Sequence, residues 1–238
     1  MMEVIGMDYL YEFLGTFMLI LLGDGVCCNV SLNKSGQKGG GSIQTGIAWG
    51  LAVLIPAFIF NHSGAHFNPA VTIALAVHGT FPWSAVAGYI VCQILGAFCG
   101  AWLLYFLFKD QFDATPDVAT KRGVFCTGPS VRNYGRNFLS EMVCAFVLVF
   151  AILGEGNVEG LVSGVGYLFT YGIIVSVGMS LGGLTGYAMN PARDFGPRLA
   201  YATMPFKEKD PDWAYSWIPI IAPIVGGIIA ALLYDAIF

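Results

Sequence analysis

Charge is what this sequence has least of. Of 238 residues only 11% are charged, 11 of them Lys or Arg and 15 Asp or Glu, with 3 histidines beside them. A soluble domain carries about a quarter charged residues because its surface must meet water. A chain this poor in charge cannot cover a globule of its size. The net charge of −4 gives no support for a nucleic-acid partner, which requires a basic surface. The 6 cysteines form no CxxC pair and no metal-ligand spacing with the histidines, so no metal and no cofactor is expected. Five of them (Cys27, Cys28, Cys92, Cys99 and Cys144) fall in apolar runs and read as small buried hydrophobes. HExxH, a phosphate loop and a nucleophile–base pair are also missing, which argues against an enzyme. Residues 1–8 contain no basic side chain, so the first apolar run reads as a retained span, not as a cleaved signal.

What is abundant is apolar length. The chain is 56% hydrophobic with a mean hydropathy of +0.70. A bilayer core of about 30 Å needs about 20 apolar residues in a helix. Six runs qualify: residues 9–30, 43–60, 83–108, 138–153, 161–181 and 215–234. Backbone in hydrocarbon must satisfy its own hydrogen bonds, so these are expected to be helices. The chain is therefore expected to be an all-α, multi-pass protein of the cell (plasma) membrane, embedded in the lipid bilayer.

Two further apolar stretches, 68–77 and 190–203, are too short to span, and each opens on Asn-Pro-Ala: Asn68, Pro69, Ala70 and Asn190, Pro191, Ala192. Asparagine is a strong N-cap and proline is favoured at the first helical position, where its missing N–H costs nothing. Both stretches read as half-helices beginning sharply at Pro69 and Pro191. Each follows a second span within its half of the chain, in SGAHFNPAVT and LTGYAMNPAR, and Glu12 and Glu141 occupy similar places in the first helix of each half. Three spans per half make the repeat inverted, and short broken helices at matching places mark a binding or conduction site. The organisation expected is one channel domain over 1–238, with halves of about 1–108 and 137–238 joined by a linker at 109–136.

An inverted repeat brings both half-helices in from opposite faces, so two positive dipole ends meet near mid-depth and oppose cations, hydronium included. The amides of Asn68 and Asn190 can offer donors to a passing hydroxyl. The glycine-rich approaches, 63–67 and 182–189, are expected to be non-helical. Irregular backbone at this depth is tolerated only where it lines a wet cavity. The carbonyls of Gly64, Ala65, His66, Gly186, Tyr187 and Ala188 are thus expected to form a ladder of acceptors. Donors at the centre with acceptors along the wall suit water or a polyol.

Two Asn-Pro-Ala motifs in an inverted repeat are very specific, and here the sequence resembles the aquaporin superfamily. Within it, it is similar to the bacterial glycerol uptake facilitators, over essentially the whole chain and most strongly in SGAHFNPAVTIAL and LTGYAMNPARDFGPRL. The resemblance implies six transmembrane helices plus two half-helices, one pore per subunit and a homotetramer. It also implies a narrow filter of Trp49, Gly178, Tyr187 and Arg193. Trp49 lies 19 residues before Asn68 where the family pattern has 20. A one-residue deletion keeps Trp49 in the filter, the favoured reading, and without it Ala48 takes the slot. Asp194 directly after NPAR, and Pro219 before a non-aromatic residue at the start of the last helix, match the glycerol-conducting subclass. Solutes implied are glycerol and water, with dihydroxyacetone, urea, hydrogen peroxide and protonated lactic acid of fitting size. Arg193 is expected in the pore, with Trp49 and Tyr187 forming an apolar corner on the wall opposite it.

Glu12 and Glu141 are expected to hold the loops before the half-helices, in preference to a proton relay. His66 is expected to brace its loop. The GxxxG pairs Gly96/Gly100 and Gly160/Gly164 suggest close helix contact. The family orientation, with both termini and the 155–159 loop cytoplasmic, puts most lysines and arginines outside, against the positive-inside rule.

Overall fold

In the computed structural model, residues 6–162 and 164–238 are described, and they form ten α-helices with no strand. In chain order these are α1 (Gly6–Ser31), α2 (Gly41–Ile59), α3 (Pro69–Val77), α4 (Trp83–Leu107), α5 (Lys109–Asp113), α6 (Val118–Phe125), α7 (Tyr134–Gly154), α8 (Gly166–Thr185), α9 (Pro191–Thr203) and α10 (Trp213–Ile237), with short 3-10 turns at Asn61–Ser63 and Glu155–Asn157. Six of them, α1, α2, α4, α7, α8 and α10, are long and apolar enough to cross a bilayer. The reading of residues 1–5 lies outside the described residues, as does Ser163 within the fifth predicted run.

Packing follows a repeated scheme: α1 lies along α4 and α7 along α10, while α2 meets α8 and the half-helices α3 and α9 wedge against α10 and α4. In lipid there is no hydrophobic gain from bringing two apolar helices together, so close backbone approach must supply the attraction. A Cβ on Gly96 would come within 2.2 Å of the Phe13 carbonyl, and one on Gly100 within 2.7 Å of that of Phe17. Gly226 stands 2.1 Å by the same measure from the Met142 carbonyl, making the matching contact of α10 with α7. Gly96 and Gly100 thus act inside the bundle. Gly160 and Gly164 do not form a helix contact at all. They have φ of +71° and +90°, and these left-handed turns delay α8 until Gly166, five residues after the predicted start.

At its other end α8 runs on to Thr185, so Gly182 and Gly183 are helical where a non-helical approach was expected. Small residues persist there because a side chain at Gly182 would sit 2.6 Å from the Tyr187 ring. Pro219 is likewise not at the start of the last helix but buried inside α10, where it removes the backbone hydrogen bond an N–H at that position would make to the Tyr215 carbonyl.

The stretch joining the halves is a packed element. Asp117 caps α6 by accepting from the Thr120 N–H at 2.6 Å. Phe112 and Phe125 stack with ring centroids 5.5 Å apart, and both rings are buried. Arg132 donates to Asp212 at 3.0 Å and Arg122 pairs with Asp210, so the stretch is tied to the loop before α10. The hydrogen bond from Arg132 holds the Asp212 carboxyl below its ordinary range. Because the folded value lies below the unfolded one, the pair stabilises above the ordinary carboxylate range and is lost only as pH falls through the depressed value. Hydrogen-exchange protection of the amides before α10 should therefore persist at mildly acidic pH and fail below it. Loss of protection near neutral pH would contradict this clamp.

Candidate functional site: a passage between two half-helices

The two half-helices start where the local chemistry says they must. Asn68 is extended (φ −154°, ψ 116°), and its Oδ1 accepts the Ala70 N–H at 2.9 Å. Asn190 is extended too (φ −144°), and accepts from Ala192 and Arg193 at 3.0 and 3.2 Å. Proline follows each at the first helical position. The two N-termini are bound to one another. Asn68 Nδ2 donates to the Met189 carbonyl at 2.9 Å, and Asn190 Nδ2 donates to the Phe67 carbonyl at 2.8 Å. An asparagine amide has two N–H donors, so one per residue is spent on this cross-clamp and one is left for the lumen.

The approach loops are built around buried carboxylates. Glu12, fully buried on α1, accepts from Ser63 Oγ at 2.7 Å, His66 N at 3.0 Å, Phe67 N at 2.7 Å and Gln93 Nε2 at 2.7 Å. Glu141 on α7 accepts from Thr185 Oγ1 at 2.6 Å, Ala188 N at 3.0 Å and Met189 N at 3.1 Å. Capturing the N–H side of each loop from within the bundle leaves carbonyls to face the other way. The loops match in conformation as well: Gly64 and Gly186 are left-handed, and so are Ala65, Phe67, Tyr187 and Met189, with φ between 38° and 52° for these four. Positive φ at non-glycine residues is uncommon, and its recurrence at matching places in both loops is what the carboxylate anchors hold. His66 donates to or accepts from Thr72 Oγ1 at 3.1 Å through Nδ1, so its ring is turned to the half-helix behind it.

Three cavities follow one another through the molecule. The first, about 190 Å³, is bounded by Gly64, Ala65, His66, Asn68 and Asn190 on one side, reaching Glu155, Tyr167 and Thr170 at its mouth. The second, about 50 Å³, runs from the asparagines past Gly186, Tyr187 and Ala188 to Trp49 and Arg193. The third, about 460 Å³, opens outward between Trp49, Gly178, Tyr187, Arg193 and the segment Cys126–Pro129. The first two share Leu19, Val53, Leu148 and Ile174, an apolar wall facing the loop backbone.

All four predicted filter residues therefore border the outer cavity, and Trp49, Tyr187 and Arg193 also border the narrow one. Trp49, not Ala48, reaches it; Ala48 is partly buried against the apolar core and borders none of the three cavities. A Cβ on Gly178 would lie 2.8 Å from the Tyr187 ring, so the glycine is the seat of that ring as well as an opening. One expectation fails: the guanidinium of Arg193 does not stand on the wall opposite Trp49. It lies on the Trp49 ring, with Cζ 3.9 Å from the centroid, and its Nη1 donates to Asp24 at 3.2 Å. A planar cation gains from an aromatic face, and the buried carboxylate holds it there.

Asp194 is buried and works outward from the pore. It accepts from Thr127 N at 2.8 Å, Thr127 Oγ1 at 2.6 Å and Arg198 Nε at 2.7 Å, while Arg198 Nη2 donates to the Thr127 carbonyl at 2.9 Å. This lattice fixes the wall of the outer cavity. Sequence reasoning missed Asp24, Gln93 and Arg198, although a polar residue inside an apolar span or half-helix is the signal that marks each. It also missed the apolar wall, whose members look like any other span residue. Among the described residues no cluster of His, Cys, Asp and Glu could hold a metal ion.

The family model of the major intrinsic proteins matches residues 5–234. The probable glycerol uptake facilitator protein of Thermotoga maritima is 53% identical over 232 residues, covering 97% of this chain and 99% of that protein. The glycerol uptake facilitator protein of Bacillus subtilis is 45% identical, over 95% of this chain and 83% of its own. Among solved structures, the X-ray structure of the aquaglyceroporin from Plasmodium falciparum matches with a TM-score of 0.83 at 31% identity, covering 97% of this chain and 95% of that one. Six apolar spans, two capped half-helices meeting end to end and a continuous row of cavities agree with these matches, and the chain belongs to the major intrinsic protein family of membrane channels, not to any class of enzyme.

Proposed function

We propose that this protein is a passive channel of the plasma membrane for glycerol and other small neutral solutes, which also conducts water and excludes ions and protons. The observation that carries the reading is the two-sided passage. Leu19, Val53, Leu148 and Ile174 face a wall of loop backbone and asparagine amide. A polyol has a carbon edge and a hydroxyl edge, and this lumen offers each its own wall. The relatives named as glycerol uptake facilitators support the same substrate. Dihydroxyacetone, urea, hydrogen peroxide and protonated lactic acid are neutral solutes small enough to follow.

Trp49, Gly178, Tyr187 and Arg193 form the filter in this reading. The remaining N–H of Asn68 and Asn190 orients a hydroxyl at mid-passage, and the facing N-termini of α3 and α9 oppose cations. The carbonyls of Gly64, Ala65, His66, Gly186, Tyr187 and Ala188 are its acceptors. The chain acts as one channel domain of two inverted halves, and four copies assemble with a pore in each. Large apolar side chains such as Ile43, Phe106 and Leu232 are exposed on the single chain and meet lipid or a neighbouring copy.

Tracer glycerol should enter proteoliposomes at the same rate with sodium and proton gradients imposed or collapsed, and should stop at equal concentrations on both sides. Accumulation above the outside concentration would mean coupled transport and would overturn the passive reading.

A further inference from the structure

Asp24 lies inside the first transmembrane helix, has an ionisable side chain, and borders none of the three cavities. Its side chain is 0% exposed and that of Arg193 10%. The carboxylate's Oδ1 takes the hydrogen bond from Arg193 Nη1 at 3.2 Å, and its Oδ2 has no hydrogen-bond partner among the described residues. Asp24 thus directs its carboxyl at one group, the guanidinium bordering the narrowest cavity. The neighbouring carboxylate, Asp194, is engaged with Thr127 and Arg198 and does not compete for it. Directly before Asp24, a Cβ on Gly23 would come within 2.3 Å of the Trp49 ring. One turn of α1 therefore seats the tryptophan with Gly23 and anchors the arginine lying on that tryptophan with Asp24.

Resting on the channel reading above, we propose that Asp24 is a specificity-determining positioning residue. It holds Arg193 flat on Trp49 and cancels its charge, so that the filter passes neutral polyols past a fixed, electrically balanced wall. The argument is one of freedom and field. An arginine side chain has many rotamers, and beside a cavity of about 50 Å³ an unanchored guanidinium obstructs the passage. A solute with a carbon chain suffers from such obstruction more than water does. A buried ion pair is strong where the dielectric is low, and stacking on an aromatic face adds to it. Asp24 never touches solute, so its effect must run through Arg193.

That dependence gives the test. Wild type, Asp24→Asn, Asp24→Leu and the double variant Asp24→Leu with Arg193→Val are reconstituted into vesicles. Glycerol and water permeabilities are measured on the same preparations, with water flux as the control for folded channel. The glycerol-to-water ratio should fall by about tenfold in Asp24→Leu, within the roughly hundredfold that a 1 Å misplacement of a positioned group can cost, and less in Asp24→Asn, which keeps an acceptor of the same shape. Removing the arginine in the double variant should restore glycerol flux, because the obstructing group is gone. Replacing a buried ion pair by apolar residues is commonly tolerated, and the near-isosteric Asp24→Asn decides if Asp24→Leu shows no water flux. An unchanged ratio in Asp24→Asn, with either no change in Asp24→Leu or a loss there that persists without Arg193, would reduce Asp24 to a structural residue. Wild-type vesicles impermeable to glycerol would instead overturn the channel reading itself.

Discussion

Replacing Tyr187 with alanine should open this channel to larger polyols. Tyr187 borders both the narrow and the outer cavity, and its ring occupies the recess over Gly178 and Gly182. Removing the phenol ring deletes the bulky part of one filter wall and leaves Trp49 and Arg193 in place. Erythritol flux should rise by about tenfold or more relative to glycerol, the scale on which a pocket discriminates one extra carbon. Flux of urea, already smaller than the opening, should change little. Stopped-flow swelling across a series of polyols of increasing length reads this directly. An unchanged size limit would remove Tyr187 from the filter wall. The complementary change at its seat, Gly178→Val, should push the ring into the passage and lower glycerol flux more than water flux.

The second large effect is expected at the buried glutamates. Glu12→Ala would strip the acceptor from Ser63, His66, Phe67 and Gln93 at once, and Glu141→Ala from Thr185, Ala188 and Met189. Removing a buried charged partner commonly costs about 3–5 kcal/mol, and here the orphaned donors include the backbone amides of His66, Phe67, Ala188 and Met189 in the two approach loops. Glycerol flux should drop to the rate of protein-free vesicles. Glutamine should not rescue either site. Both carboxylate oxygens accept hydrogen bonds, so whichever way the amide is turned its NH₂ faces donors. A fully active Glu12→Gln channel would show that the loop does not depend on the carboxylate.

Where the sequence alone was informative, the cause was local. Asn-Pro stops and starts a helix by its own covalent chemistry, so α3 and α9 begin at Pro69 and Pro191 as expected. The spans follow from apolar length, because lipid leaves the backbone no other choice. Trp49 was separable from Ala48 only in three dimensions, since a one-residue slip turns a helix by about 100° and spacing alone could not tell which side faced the cavity. The start of α8 is hidden in the sequence because left-handed Gly164 lies within the apolar run 161–181 and left-handed Gly160 directly before it. The joining stretch read as a linker because its acids, bases, Pro and Gly outweigh the few buried residues that matter, Phe112, Val124 and Phe125.

What the sequence withheld was proximity between distant residues. Asp24 and Arg193 stand 169 positions apart, and Asn68 and Met189 stand 121 apart. No period or motif relates them until the two halves are brought together. For the same reason the expected geometry of the filter was wrong in one respect. Given only residue types, an arginine and two aromatics suggest facing walls; given Asp24 behind it, the arginine lies on the tryptophan.

The most direct test of the account is an osmotic jump on proteoliposomes, followed by light scattering, with glycerol as the osmolyte. The account predicts rapid shrinkage followed by fast re-swelling as glycerol enters, without a sodium or proton gradient. Rapid shrinkage with no re-swelling beyond the protein-free rate would describe a water-selective pore and contradict the assignment of Trp49, Gly178, Tyr187 and Arg193 as a polyol filter.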